Sequence, residues 1–560
     1  MSSYYQILEE DPFPSKFSIV RFFTECVHHT WPTHPAVLPW SPILAHADRE
    51  KALRCLDIDI EKMEATLTQV NIAMQRTMRN VRHRRNYQTA INRLPVEVLC
   101  QIFSHANEGR VRAKLSISHT CAFWRDVAID YPHMWTSIDL NSVSRPEFVP
   151  DILGRAKGLP LQLQYYDWEQ LDQATVDRCA ELMHNTEQLK LRVGTKYMRH
   201  SGTWLADQPA PILRCLEIAM SGGIAIFPRL FGNEKPCLME LTLTNCRLAW
   251  SPRLYVGLTK LKIRSHYVMQ SSDPSDRDIR QVFKDSPNLE ELELVNCGPV
   301  HDSEVSEIPK VTPLPRLRIL RLRLHVSDVS FILSAISPPS TMRLSVQCAT
   351  SGTFRDLVGS NHLLNFSEFR SLEIDGSTYR ILGFTDVGGK YPSFDLSTYG
   401  SHSFGVFDRF LFSLGSVYPL PLLHRLRVHS LHTDRIVWLL HSTPSIVHLE
   451  LVSEAMEILS LLSHHYGELD SQFAQSLCTL AIERVYLDAE TLMDIADMLH
   501  FSPKLRALYL HKCTSDLTPD EVVEFFLQDV ATVQWSNEPL DGYDVDDEYD
   551  EESYISSSMM

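Results

Sequence analysis

Hydrophobic positions along the chain change period twice. From residue 48 to residue 87 no Gly or Pro interrupts the sequence, and apolar residues fall at Leu53, Leu56, Ile60, Met63, Leu67, Val70, Met74 and Val81. Alternating steps of three and four predict one long helix carrying an a/d stripe. Two short amphipathic segments follow. Pro95 suits a first helical turn, where its missing N–H has no partner to lose, and Val98, Leu99, Ile102 and Phe103 make an apolar face. Cys121, Trp124, Val127 and Ala128 mark a second helix. About 45 residues cannot bury that much apolar surface alone, so a partner or a docked neighbour is expected. Beyond residue 135 the period shortens to two, with L-x-L cores that predict strands.

These cores recur at a regular distance. Leu238-x-x-Leu241-x-Leu243-x-x-Cys246 returns as Leu289-x-x-Leu292-x-Leu294-x-x-Cys297 and as Leu505-x-x-Leu508-x-Leu510-x-x-Cys513. Degenerate copies bring the first core residues to 138, 161, 189, 216, 241, 261, 292, 320, 344, 372, 426, 449, 480 and 508. Spacings run from 20 to 31, apart from one of 54. Each unit supplies one strand and a return segment and cannot bury its apolar side alone, so neighbours must stack. Connections are too long for hairpins, which predicts one parallel sheet in chain order. Return helices are expected near Asp278–Phe283 and Glu490–Leu499. Cys246, Cys297 and Cys513 are expected to pack inward. The doubled spacing holds a Gly-, Ser-, Tyr- and Phe-rich stretch, 376–418, an eroded repeat or an insertion that is expected to bulge from the arc or form its most irregular unit; a bulge there would be a candidate recognition loop.

The repeat matches the leucine-rich-repeat template. The segment before it, Leu94-Pro95-x-Glu97-x-Leu99-x-x-Ile102-Phe103 with Cys121-x-x-Trp124-Arg125 and Tyr131-Pro132-x-Met134-Trp135-x-Ser137-Ile138-Asp139-Leu140, resembles the F-box of fungal proteins, especially basidiomycete-type ones. In those a short heptad helix often precedes the box. Cys100-Gln101 and the charged loop Glu108–Lys114 depart from the pattern. The resemblance implies a substrate-receptor subunit of an SCF-type cullin–RING E3 ubiquitin ligase, non-catalytic, with the F-box docking a Skp-family adaptor and the repeats binding a target protein. Leu94, Pro95, Val98, Leu99, Ile102, Phe103 and Trp124 would carry the adaptor contact or its support. The alternative is a leucine-rich-repeat protein-binding scaffold with no ligase role.

The resulting fold class is α/β: a helical F-box followed by a curved parallel-sheet solenoid. Expected boundaries are an irregular, Pro-rich lead-in at 1–47, the heptad helix at 48–87, the F-box at 88–135, the solenoid at 136–535 and a disordered acidic tail at 536–560. The heptad stripe reads either as a face packed on its own neighbour or as a coiled coil that could dimerise. Its terminal Arg76, Arg79, Arg82, Arg84 and Arg85 suit a helix C-terminus and also a nuclear-import signal.

Composition narrows the chemistry. The 560 residues are 44% hydrophobic and 22% charged, as in ordinary globular proteins. No apolar run is long enough to span a membrane, and Glu9, Glu10 and Asp11 stand where a signal peptide would be basic. An intracellular protein, cytoplasmic or nuclear, is expected. Nine of the acids behind the net charge of −17 lie in 538–552, which argues against nucleic-acid binding. The twelve cysteines include no C-x-x-C pair, so reduced, mostly buried thiols are expected, with no metal and no cofactor. There is no H-E-x-x-H, no phosphate-binding G-x-x-x-x-G-K-[ST] and no G-x-S-x-G.

Residues flanking each L-x-L pair should face away from the core. They place Lys260, Lys262 and Arg264, then Glu291 and Glu293, then Arg321 and Arg323, and later Arg425, Arg427 and Tyr509 on a concave face, the candidate target-binding surface. Blocks of alternating sign predict that Glu291 and Glu293 sit between Lys262 and Arg321 in an ion-pair ladder, rather than beside a continuous basic groove.

Overall fold

The computed structural model describes residues 46–537 except 108–109, 141–147, 166–176, 178, 195–204, 222, 224, 228–229, 234–235, 249–253, 267–273, 300–310, 350–365, 387–390, 400–402, 415–419, 454–475 and 503. The lead-in before residue 46 and the acidic tail lie outside the described residues. The chain divides into two compact units, 1–105 with 115–130, and 106–114 with 131–560.

In the first unit the heptad segment is helix α1, His46–Tyr87. A 3-10 turn, Ala90–Arg93, leads into α2, Val96–Asn107, whose first turn opens immediately after Pro95. Helix α3, Val111–Thr120, starts in the 106–114 segment assigned to the second unit and ends in the first, and α4, Ala122–Asp130, follows in the first.

The second unit is built on a sheet with seventeen strands among the described residues. The first nine are β1 (Ser137–Asp139), β2 (Leu161–Tyr165), β3 (Thr186–Gly194), β4 (Cys215–Ser221), β5 (Glu240–Thr244), β6 (Lys260–Arg264), β7 (Glu291–Val295), β8 (Ile319–His325) and β9 (Arg343–Ala349). Each pairs in parallel with the next. Register is set by the buried alternate residues: Leu216, Leu241, Leu261, Leu292, Leu320 and Leu344 stand side by side across six strands, each at most 2% exposed. Fully burying each such side chain contributes about 1.5–3 kcal/mol, and a slip of one residue would turn the whole row outward. At the start of the array Ile138 pairs with Leu163, not with Leu161, and the register shifts again between Leu161 and Gln162.

The expectation of one parallel sheet in chain order fails at a single place. Strands β10 (Ser371–Asp375), β11 (Arg380–Phe384) and β12 (Phe394–Tyr399) form an antiparallel meander. The meander enters the sheet backwards: β9 pairs with β12, and β10 pairs with the next repeat strand, β13 (Arg425–His429). The stretch 376–418 is therefore irregular, but part of it lies within the sheet instead of bulging from it. Aromatic packing takes over from leucine here. Phe366, Phe369, Phe394 and Phe410 hold ring centroids 5.3–6.2 Å apart. Gly383 leaves room for this cluster, since a Cβ there would lie 2.5 Å from the Phe369 ring.

Parallel order resumes through β13, β14 (His448–Val452), β15 (Thr479–Glu483), β16 (Ala507–His511) and β17 (Thr532–Ser536). Strand β17 had no counterpart in the repeat pattern. The helices expected near 278 and 490 are Asp276–Asp285 and Ala489–Phe501. The first is capped by Ser275, which exchanges hydrogen bonds with Asp278, and the second by Asp488, which accepts from the Thr491 amide at 2.8 Å.

Six strands end in the same way. Asn245, Asn296, Ser430, Ser453, Arg484 and Lys512 follow them directly, with φ between 45° and 58°. This left-handed residue turns the chain, and in five of the six its N–H reaches a carbonyl of the next strand, as from Asn245 to Arg264 at 2.7 Å and from Lys512 to Ser536 at 2.8 Å. The two asparagines also bridge neighbouring turns: Asn245 Nδ2 donates to the Met220 carbonyl and Asn296 Nδ2 to that of Ser265. Cys246, Cys297 and Cys513 come next and are buried, their thiols donating to the carbonyls of Thr244, Ile263 and Ile482. Burial raises the Cys246 and Cys513 thiols and pushes that of Cys348 up to about 12, which suits inert core residues.

Candidate docking faces

Helix α2 carries two apolar stripes. Leu99 and Phe103, one turn apart, are buried at 0% and 1% exposure. Val98 and Ile102, one residue earlier in each turn, are exposed, and Leu94, Val96 and Ile91 are exposed close by in sequence. Pro95 is exposed as well. Of the seven residues expected to serve the adaptor, Leu94, Pro95, Val98 and Ile102 face solvent, whereas Leu99, Phe103 and the half-buried Trp124 support them from within. The ring of Trp124 lies 5.0 Å from that of Phe103, and its indole N–H donates to Asn92 Oδ1. Asn92 was not among the residues singled out by sequence: a lone Asn beside an apolar run has no periodic signature.

The loop charges that depart from the F-box pattern have a partly structural use. Lys114 is fully buried, and its ammonium donates to the Ser137 carbonyl on β1. Burial pushes its pKa down to about 8. The backbone of Arg110, not its charge, forms an isolated parallel β-bridge with Asp139 on the same strand.

On the polar face of the sheet, the expected ladder is present. Glu291 lies 3.0 Å from Lys262 and 3.1 Å from Arg321; Glu293 lies 2.5 Å from Arg264 and 3.9 Å from Arg321. The register that pairs Lys262 and Arg321 with Glu293 brings the rows together. Lys260 meets Glu240 at 2.8 Å, Arg425 meets Glu450 at 2.6 Å, and Arg427 spans Glu450 and Glu483. Six of the eight proposed target-binding residues are thus held by carboxylates of the same face. Arg323 instead stacks on Tyr399 at 4.8 Å, and Tyr509 stacks on His511. Glu373 stands in the same network near Arg427 and Arg380, yet burial raises its pKa. Asp375 goes the other way: burial favours its neutral form, but hydrogen bonds from Ser377, Thr378 and His429 outweigh it and hold the carboxyl at about 2.

Among the described residues no cluster of three or more His, Cys, Asp or Glu is arranged to hold a metal ion, and no helix is long and apolar enough to cross a membrane. The eleven described cysteines are free thiols. Residues 91–141 match the F-box-like family. This segment is an F-box-like domain. It covers α2, α3, α4 and the exit segment through β1. A search of the curated proteins finds no match to the chain.

Proposed function

We propose that this protein is a substrate receptor of an SCF-type cullin–RING ubiquitin ligase. The observation that carries the reading is the outward stripe of the F-box-like domain. Val98 and Ile102 expose apolar side chains on a helix whose other stripe, Leu99 and Phe103, is fully buried, and Leu94 is exposed just before its first turn. Such a face has the character of the buried centre of a protein–protein interface. In this reading the partner is a Skp-family adaptor, and ubiquitin transfer is the work of other subunits.

The second unit is, on this proposal, a leucine-rich-repeat solenoid that presents the target. The repeated strand, left-handed turn and inward Cys support the assignment, as does the parallel register on either side of the meander. On this proposal the target surface is not a basic groove, a reading supported by the ion pairs that engage six of its seven proposed cations within the sheet.

The test is co-purification of the full chain with a Skp-family adaptor. Val98→Asp with Ile102→Asp should abolish recovery while leaving the thermal midpoint unchanged. Adaptor-independent behaviour of the wild type would favour the scaffold alternative.

A further inference from the structure

Helix α1 displays its whole seam. Leu53, Leu56, Ile60, Met63, Leu67, Met74 and Val81 are each 45–70% exposed, and Val70 is half-buried. An a/d stripe repeated over four heptads with no cover is not the pattern of a solvated helix. Its charges are also unevenly placed. The half 46–66 has six acids and four bases, whereas 67–87 has five arginines and no acid.

We infer that α1 pairs with α1 of a second copy of this chain, as an antiparallel two-stranded coiled coil. The heptad frame selects the register. With Leu53 at position a, an antiparallel partner can set Leu67 against Val70, Met63 against Met74, Ile60 against Thr77, Leu56 against Val81 and Leu53 against the stem of Arg84. Every seam residue of both copies is then covered, and the overlap runs from Glu50 to Tyr87. The buried apolar area is on the order of 1,000 Å², the lower bound for a stable interface. Glu50 and Arg85 both occupy e positions, and in this register they face each other at each end.

Charge decides the direction. An antiparallel arrangement lays the acidic half of one copy along the arginine-rich half of the other, and it opposes the two helix dipoles. A parallel arrangement would set Asp59 at g against Glu64 at the following e position, and Arg84 against Arg84. Like charges at these positions are what coiled coils use to reject a pairing. The inference is independent of adaptor binding, which concerns α2.

The experiment uses the full chain. Sedimentation velocity at micromolar concentration should show a dimer, and Ile60→Glu with Leu67→Glu should convert it to a monomer without altering the melting of the remainder. Direction is read in a Cys55→Ser background by mild oxidation and mass-spectrometric mapping. A mixture of Leu56→Cys and Val81→Cys proteins should form the mixed disulfide at least tenfold more than Leu56→Cys forms its own. In a parallel pair these two positions would be about 37 Å apart. A monomeric wild type, a dimer indifferent to the Glu substitutions, or a predominant Leu56→Cys homodisulfide would each overturn the proposal.

Discussion

The indole N–H of Trp124 donates to Oδ1 of Asn92 at 2.6 Å, across 32 residues of sequence. Asn92 in turn donates its Nδ2 to the Asn86 carbonyl at 2.7 Å. The last helix of the F-box-like domain is thereby tied to the turn that precedes its first. Trp124→Phe keeps a ring against Phe103 but leaves a nearly buried carbonyl oxygen unpaired. It should lower stability by about 1–3 kcal/mol in urea titrations followed by circular dichroism. Trp124→Phe with Asn92→Ala should cost less than the two single changes added together, because each removes the same bond.

The two stripes of α2 make opposite predictions. Val98→Asp or Ile102→Asp changes an exposed position and should move stability by no more than about 0.5 kcal/mol. Leu99→Asp or Phe103→Asp places a carboxylate where the side chain is at most 1% exposed. Those variants should destabilise by about 4 kcal/mol or more and lose adaptor binding through unfolding. Thermal melts separate the two causes, and a folded Phe103→Asp would contradict the assignment of the inward stripe.

Ion pairs on the sheet differ by burial. Arg264 grips Glu293 with Nε and Nη2 at 2.5 and 3.1 Å, and the Glu293 side chain is only 7% exposed. A double-mutant cycle of Arg264→Met and Glu293→Gln should return a coupling of about 1.5–3 kcal/mol. Lys260 and Glu240 are over 40% exposed, and the same cycle there should return less than about 1 kcal/mol. Raising salt should reduce only the second.

Lys114 supplies a pH dependence. Its folded pKa of about 8 lies below its ordinary value of 10.5. The unfolded chain therefore holds more protons between those values, and stability rises with pH across that window. The contribution is on the order of 3 kcal/mol. Denaturation at pH 7 and pH 10 should show this rise in the wild type relative to Lys114→Met, which cannot titrate. An identical pH profile for both would refute the burial of a charged amine.

Gly376 marks the place where the meander rejoins the repeats. Its N–H donates to the His429 carbonyl at 2.8 Å, and a Cβ would lie 2.1 Å from the Ser430 carbonyl oxygen. That neighbour is backbone and cannot swing aside. Gly376→Ala should cost at least about 2 kcal/mol, whereas Gly154→Ala, with nothing within 4 Å of its Cβ, should be neutral or slightly stabilising.

The rows of leucine were legible because burial of one face imposes period two, and the ladder at Glu291 and Glu293 followed from that register. The reversal at β10–β12 was not legible. Alternation reads the same in either direction along a strand, so it carries no information about whether a strand runs up or down. The order of stripes on α2 was hidden for a related reason: Val98 and Leu99 are equally apolar and adjacent, and sequence does not say which turns inward. Strand β17 escaped because Val533 and Trp535, not leucines, stand beside Leu508 and Leu510, which leaves no L-x-L core to read.

The backward insertion of the meander has a consequence for synthesis. In an array assembled in chain order, each new strand finds its neighbour as soon as it leaves the ribosome. Here β9 must wait for β12: Leu344 pairs with Phe394, fifty residues later. At about 5–20 residues per second, that edge stays uncapped for roughly 3–10 s after its own emergence. During that interval the nascent first half presents a bare parallel edge, the most hazardous surface a growing sheet can offer. The charged rim of β9, where Arg343 stands, and the polar Ser345 and Gln347 beside it are the only gatekeepers that the strand itself provides.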